Sequence, residues 1–245
     1  MISFLKTIIY IPLYNLLLVI LNFLPTHDAG IAIVILTIIV KLILYPVSKK
    51  AAVTQFLMKK HDPELQMIKE KYKNDKEAQA LQIMAFYKKY QVNPFSSIIT
   101  IFIQIPIIYS LYHIFLHSGL PVVNNTLVYS FLHAPAVISM NFLGFIDVAS
   151  KNIYLAFLAA LTTYFQIKYS SATPTAPAKD AEKSQEKSFG NDLAASMATQ
   201  MKYTFPVIVF FISWKISGAV ALYWLVSNLF TIAQDYWIKR SLNMA

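Results

Sequence analysis

The sequence predicts an all-α membrane protein with five membrane-spanning helices, and three observations lead to this fold class. Hydrophobic residues make up 57% of the 245 residues and charged residues 13%, where an average soluble domain has about 25% charged residues. The apolar residues are clustered in runs close to the roughly 20 residues that a transmembrane helix needs. The runs also lack the alternation of apolar and polar residues that is typical of a membrane β-barrel.

The pattern of apolar and polar residues divides the chain into ten segments. Five of them are predicted transmembrane helices, at 29–48, 94–117, 152–170, 202–217 and 218–238. Segment 1–28 is predicted to be a helix that either lies in the membrane interface or spans the membrane. The remaining segments are predicted as a helical hairpin at 49–93, an outer loop at 118–151, a disordered polar loop at 171–201 and a short tail at 239–245.

Segment 49–93 carries most of the evidence on orientation. It contains ten lysines and five acidic residues, so by the positive-inside rule we expect this segment and the C-terminal tail to face the cytoplasm. Apolar residues recur at helical spacing on both sides of a break at Asn74-Asp75, which predicts two helices. Projection into the cytoplasm and contact with anionic lipid headgroups both suit this lysine-rich pair. The charge pattern does not point to a nucleic acid, and we expect none as a partner.

Lys41 is the single charged residue inside the first predicted span. An ammonium in the bilayer costs on the order of 3 kcal/mol, so its side chain needs water or a polar partner. One interpretation is that Lys41 extends to the interface near Pro46. Polar residues in other spans favour a second interpretation, a polar groove inside the membrane. These residues are Gln104, Gln166 and a face of the last helix formed by Ser227, Asn228, Thr231 and Gln234.

The sequence offers no pattern for catalysis or for a cofactor. It has no HExxH or GxSxG motif and no pair of acidic residues within the spans, so we expect no enzymatic activity. His113 and His117 share a helix face at a spacing that can bind a metal, but no third ligand follows. We interpret both histidines as polar residues of the interface. There is no cysteine, which excludes disulfides and thiolate chemistry.

Three blocks of the sequence resemble the YidC/Oxa/Alb family of membrane protein insertases. They are GIAIVILTIIVKLILYPVSKK, KKYQVNPFSSIITIFIQIPIIYSLY and QMKYTFPVIVFFISWKISGAVALYWLVSNLFTIAQDYWIKR. The blocks stand in the order typical of the family, and the resemblance covers essentially the whole chain. It implies a five-transmembrane-helix insertase core in a bacterial cytoplasmic membrane. It also implies a hydrophilic groove that is open to the cytoplasm and to lipid, closed on the outer side, and works without a cofactor or metal.

The resemblance also implies roles for individual residues. Lys41 matches the positive charge of the groove, where the family usually has arginine; lysine keeps the charge but lacks the planar fork that binds a carboxylate through two bonds. Thr37 and Tyr45 are expected one helical turn to either side of Lys41. The full set of expected groove residues is Lys41, Thr37, Tyr45, Gln104, Gln166, Ser227 and Asn228. The residues that match the family's substrate-sliding surface are Ile105, Ile108 and Trp224.

The expected partners follow from the same resemblance. Nascent membrane proteins would pass their hydrophilic segments through the groove and release their apolar helices into lipid. The hairpin would meet the ribosome and the Sec translocon, and the lysine-rich segments would meet anionic lipids. The alternative function is a small-solute transporter or channel, because polar residues in spans also line pores. The internal repeat that is common in transporters is not found in this sequence.

Overall fold

The computed structural model describes residues 5–93, 96–116, 120–169 and 189–242 and is mostly helical. A π-helical turn at Lys6–Tyr10 leads into the first helix. The helices are α1 (Ile11–Phe23), α2 (Ala29–Ile43), α3 (Tyr45–Lys60), α4 (Asp62–Lys71), α5 (Lys76–Lys89), α6 (Ser96–Leu116), α7 (Ile153–Tyr169), α8 (Phe189–Ile216) and α9 (Gly218–Ser241). The segment between α6 and α7 contains a 3-10 turn at Asn125–Leu127 and an antiparallel pair of short strands, β1 (Asn141–Phe142) and β2 (Ile146–Asp147).

The last helix, α9, lies at the centre of the bundle. It packs most extensively against α7 and α2 and also contacts α3, α6 and α8. Its first seven residues, 218–224, are all buried. Helices α7 and α8 pack closely against each other, and α1 packs against α2. Polar residues on different faces of α9 therefore contact different neighbouring helices.

The apolar character of the helices agrees with the predicted all-α membrane class. Lys6–Phe23 is long and apolar enough to cross a membrane, and Ala29–Ile43 with Tyr45–Lys60 passes the same test as a pair bent by 65°. Phe102–Phe115 is a shorter apolar helix. These findings rest on length and composition in the described part of the chain. The number of spans, and whether α1 spans or lies in the interface, stay predictions.

The first predicted span, 29–48, is not one straight helix. α2 ends at Ile43, and α3 starts at Tyr45 after the bend. Pro46 explains the break, because it has no N–H to donate to the carbonyl four residues earlier, and proline is well tolerated in the first turn of a new helix. The expectation that Tyr45 continues the helix of Lys41 was therefore wrong, since Tyr45 is the first residue of the next helix.

The polar loop predicted at 171–201 is shorter than expected. α8 begins at Phe189, so the predicted disorder was wrong for its final part, and the predicted span at 202–217 is the second half of a 28-residue helix. Alanine, leucine, methionine and glutamine are frequent between 193 and 201, and all of them favour helix. The rest of the predicted disordered loop, together with 94–95, 117–119 and 243–245, lies outside the described residues.

Helices α4 and α5 pack against each other where the hairpin was predicted. Its base is held by Glu64, which accepts hydrogen bonds from the Lys89 ammonium at 2.8 Å and from the Tyr90 hydroxyl. The ring of His61 stacks on Tyr90 with 3.8 Å between centroids. These contacts join the start of α4 to the end of α5. The location of this pair in the cytoplasm stays a prediction.

The segment 120–152 lies against the N-terminal ends of α2 and α9. Asp28 caps α2 by accepting from the Ile31 N–H at 3.0 Å, and its second oxygen accepts from the Leu143 N–H at 2.8 Å. The Ala219 N–H donates to the Val148 carbonyl at 2.8 Å. Hydrogen bonds with the first residues of α2 and α9 thus hold the segment 120–152 over this end of the bundle.

Candidate functional site

Lys41 extends from α2 to a polar position on α9. Its Nζ donates to Thr231 Oγ1 at 3.1 Å, and Thr231 in turn donates to the Ser227 carbonyl at 2.9 Å. The buried carboxylate of Asp235, one turn further along α9, interacts electrostatically with Lys41. The ammonium therefore has both a neutral acceptor and an opposite charge on the neighbouring helix, which offset part of its cost in an apolar bundle.

A third helix joins this polar group through Ser48. The Ser48 hydroxyl, on α3, donates to Gln234 Oε1 at 3.0 Å, and Gln234 is buried. We call the set Lys41, Ser48, Thr231, Gln234 and Asp235 the Lys41 cluster. It draws its members from α2, α3 and α9, which meet just beyond the bend at Leu44.

Gln104 belongs to a second polar group that touches the first. Its Nε2 donates to Tyr223 Oη at 2.6 Å, and the buried Tyr223 hydroxyl also bonds the side chain of Ser227. Ser227 connects the two groups, because its carbonyl accepts from Thr231, the partner of Lys41, and its side chain is bonded to Tyr223, the partner of Gln104. Three of the predicted groove residues, Lys41, Gln104 and Ser227, are thus brought together.

The other predicted groove residues lie elsewhere. Asn228 is buried between α9 and α7, where its Nδ2 donates to Thr163 Oγ1 at 2.7 Å, to Thr162 Oγ1 at 3.2 Å and to the Ala159 carbonyl at 3.3 Å. Thr37 is buried and donates to the Ile33 carbonyl of its own helix at 2.6 Å. Half-buried Gln166 takes no part in the hydrogen bonds that connect Lys41 with Gln104 in the described chain. Tyr45 is half-buried beyond the bend.

The three predicted sliding residues differ in exposure. Ile105 on α6 is 59% exposed, whereas Trp224 on α9 is 9% exposed. Ile108 is partly buried and packs on the same cluster as Trp224, together with Ala159 and Val209. An apolar path for a substrate would therefore begin at the exposed Ile105. Trp224 would become accessible to the substrate only if the helices around it moved apart.

Sequence reasoning missed some members of the site. Tyr223 was not assigned to the site, although it continues the 3–4 spacing of the polar face that includes Ser227 and Thr231. Ser48 and Asp235 could not be assigned, because their contacts depend on how α3 and α9 cross. Among the described residues no group of His, Cys, Asp and Glu side chains could hold a metal. His113 lies against the rings of Tyr10 and Tyr109, while His117 is outside the described residues.

Comparison with known proteins gives consistent matches. The family described as 60Kd inner membrane protein matches residues 20–245. A relative from Clostridium tetani, named membrane protein insertase YidC, is 30% identical over 88% of this chain and 84% of its own length. A relative of the same name from Fusobacterium nucleatum is 31% identical over 93% of this chain and 97% of its own length. A third, from Geobacter sulfurreducens, is 30% identical over 90% of this chain, which spans 35% of that longer protein.

These matches cover all three blocks on which the resemblance was based. They include the helices that supply Lys41, Gln104 and Ser227, so the residues of the site lie inside the matched region. The chain therefore belongs to the YidC/Oxa1 family, described as 60Kd inner membrane proteins.

Proposed function

We propose that this chain is a membrane protein insertase of the bacterial cytoplasmic membrane. Hydrophilic segments of nascent membrane proteins enter a polar groove around the Lys41 cluster, and their apolar helices leave sideways into lipid. The observation that carries the proposal is the position of Lys41, whose ammonium donates to Thr231 and interacts electrostatically with Asp235 inside the helix bundle. The names of the relatives, membrane protein insertase YidC, support the same function.

The groove lowers the cost of moving polar groups across the bilayer. A peptide or hydroxyl group that loses water without a new hydrogen bond costs roughly 2–7 kcal/mol, so donors and acceptors inside the membrane reduce the barrier. Thr231 is a neutral partner, which a carboxylate of the substrate can replace at the Lys41 ammonium. Asp235 keeps the local charge balanced when no substrate is bound.

Gln104 and Tyr223 extend this surface with neutral groups. An amide and a hydroxyl can each donate and accept, so they bind polar segments of either charge without trapping them. Ile105, which is exposed on α6 next to Gln104, offers the apolar surface along which a hydrophobic helix leaves. Polar and apolar parts of a substrate thus separate over one turn of α6.

The proposal includes an orientation and partners. The lysine-rich pair α4 and α5 and the C-terminal tail face the cytoplasm, in accordance with the positive-inside rule. The segment 120–152 then covers the groove on the outer side. On the cytoplasmic side, the α4–α5 pair is the surface that would meet the ribosome and the Sec translocon.

Site-specific photocrosslinking during synthesis of a small single-span protein tests the function. We expect a crosslinker at Ile105 to capture the nascent chain at intermediate lengths and to lose it on release, with less capture at Ile108 and Trp224. Leu111 on the same helix is 1% exposed and serves as the matched control. Absence of capture at every length, combined with passage of a solute through reconstituted vesicles, would instead establish a transporter or channel.

A further inference from the structure

An apolar groove of about 500 Å³ lies on the surface between α7 and α8. Its lining residues are Ile153, Tyr154, Phe157, Leu158 and Phe210. The four residues on α7 are between 42% and 78% exposed, so the groove opens along its length to the surroundings. The volume lies within the range of about 300–1,000 Å³ that is typical of small-ligand sites. None of its residues belongs to the Lys41 cluster or to the predicted sliding surface.

Two lysines stand at the same end of this groove. Lys151 precedes Ile153 by two residues at the start of α7, and Lys215 is in the last turn of the adjacent, antiparallel α8. The Lys215 ammonium lies 5.9 Å from the ring of Trp214, and that ring lies 6.1 Å from the ring of Phe210 in the groove wall. Both lysines are exposed, and neither forms a salt bridge with a residue that the structure describes.

We propose that this groove binds one anionic phospholipid, with an acyl chain along the apolar wall and the phosphate at Lys151 and Lys215. The arrangement of charges supports a lipid as the occupant. An apolar trough that ends at two ammonium groups is complementary to a molecule with an apolar chain and a single negative headgroup. Tryptophan and lysine side by side are also typical of the depth at which headgroups lie.

A transmembrane helix of a substrate protein fits these features less well. Such a helix would bring no negative charge to the level of the two lysines unless an acidic residue happened to follow its apolar stretch. The apolar wall is also short, since it extends from residue 153 to residue 158 on α7. This length corresponds to less than two helical turns, which suits part of an acyl chain better than a spanning helix.

Quenching of Trp214 by brominated lipids tests the proposal in the full-length protein. The chain has three tryptophans, and the variant Trp224→Phe/Trp237→Phe leaves only Trp214, beside the groove. The protein is reconstituted in phosphatidylcholine vesicles with small fractions of brominated phosphatidylglycerol or brominated phosphatidylcholine. Each lysine near a membrane surface contributes about a factor of five toward anionic lipid, so with two lysines we expect half-maximal quenching at roughly twenty-five-fold less brominated phosphatidylglycerol than brominated phosphatidylcholine.

The preference for phosphatidylglycerol over phosphatidylcholine should depend on Lys151 and Lys215 and on no other lysine. The variant Lys151→Gln/Lys215→Gln in the same background should be quenched equally by both lipids. The control Lys59→Gln/Lys60→Gln, which changes two exposed lysines at the end of α3, should keep the preference.

Native mass spectrometry of the chain with all its tryptophans, in micelles with added phosphatidylglycerol, should show one retained lipid that is lost in the double lysine variant. Equal quenching by both lipids before any lysine is changed would overturn the proposal. Capture of a nascent chain by a photocrosslinker at Phe157 would overturn it as well, without affecting capture at Ile105.

Discussion

The Lys41 ammonium lies 3.1 Å from Thr231 Oγ1, and this hydrogen bond joins α2 to the central helix. Beyond Thr231 the hydrogen bonds join neutral groups. Thr231 donates to the Ser227 carbonyl, and the Ser227 side chain is bonded to the Tyr223 hydroxyl, which accepts from Gln104. The positive charge is therefore on α2, whereas the neutral polar groups of this series are on α9 and α6. Substitutions can separate their effects on a substrate.

Replacing Lys41 by alanine should abolish insertion of substrates whose translocated segment is acidic. The expected loss is at least tenfold, because the substrate carboxylate loses the attraction of the Lys41 ammonium, while substrates with a neutral segment lose less. Lys41→Arg should retain insertion, since the guanidinium keeps the charge and adds a second donor. Protease protection of the translocated segment measures the result.

The control for this series is Lys50→Ala, which removes an exposed lysine at the start of α3. It should insert both kinds of substrate at the normal rate. Protein levels of all variants have to match, because loss of Lys41 leaves Asp235 with less compensation of its charge. Normal insertion of acidic substrates by Lys41→Ala at normal protein level would contradict the charge mechanism.

Replacing Tyr223 by phenylalanine should lower stability without a change in packing. The phenol is buried, and its hydroxyl accepts from Gln104 at 2.6 Å. Its removal deprives the Gln104 amide and the Ser227 hydroxyl of a partner, which costs roughly 0.5–2 kcal/mol in the free energy of unfolding. Thermal unfolding in micelles measures the effect. Gln104→Leu combined with Tyr223→Phe should cost less than the sum of the two single changes, whereas strict additivity would show that the bond is not formed.

Several features of this site could be predicted from the sequence because they depend on local spacing. Lys41 stands out as a charge in an apolar run, and the polar face of α9 follows from the 3–4 spacing of Ser227, Thr231 and Gln234. Gln104 is recognisable as an amide within an apolar helix that needs a partner. These patterns depend only on the spacing of residues along the chain, and the period of the helix places residues three or four apart on the same face.

Other features depend on how the helices cross, and the sequence does not contain that information in readable form. Asn228 follows Ser227 directly, but a rotation of 100° per residue directs it toward Thr163 on α7 rather than toward Lys41. The bend before Tyr45 had a local signal in Pro46, yet the new direction of α3, which brings Ser48 to Gln234, is set by packing. Asp235 gains its role only when α2 and α9 are in contact.

Replacing Gly30 by alanine should destabilise the contact between α2 and the segment 120–152. An added Cβ would lie 2.5 Å from the Cβ of Phe142, which cannot rotate away. Overpacking of this kind costs roughly 1–3 kcal/mol. A lower midpoint of thermal unfolding should report it. Phe142→Gly, which removes the clashing atoms, should make the Gly30→Ala change nearly neutral, and a full effect in that background would contradict the steric explanation.

The base of the α4–α5 pair should lose its order in acid. Hydrogen bonds from Lys89, and to a lesser degree from Tyr90, lower the pKa of Glu64, whereas the same contact with Glu64 raises the pKa of Lys89. A carboxyl group whose pKa is lowered by folding stabilises the folded state at pH values above its ordinary pKa of about 4.3. This stabilisation is lost as the pH falls through the lower pKa that the group has in the folded state. The raised pKa of Lys89 implies a corresponding loss only in strong base.

Hydrogen exchange of the backbone amides near His61 and Tyr90 measures this local order. At pH 7 we expect faster exchange in Glu64→Gln than in the unaltered chain, because the glutamine forms no charged contact with Lys89. The difference should disappear once the pH falls below the lowered pKa of Glu64, since Glu64 is then protonated as well. Glu70→Gln, which changes an exposed carboxylate on the same helix, should behave like the unaltered chain at every pH. A difference between Glu64→Gln and the unaltered chain that persists in acid would show that the shape of the side chain, rather than its charge, holds the base of the pair together.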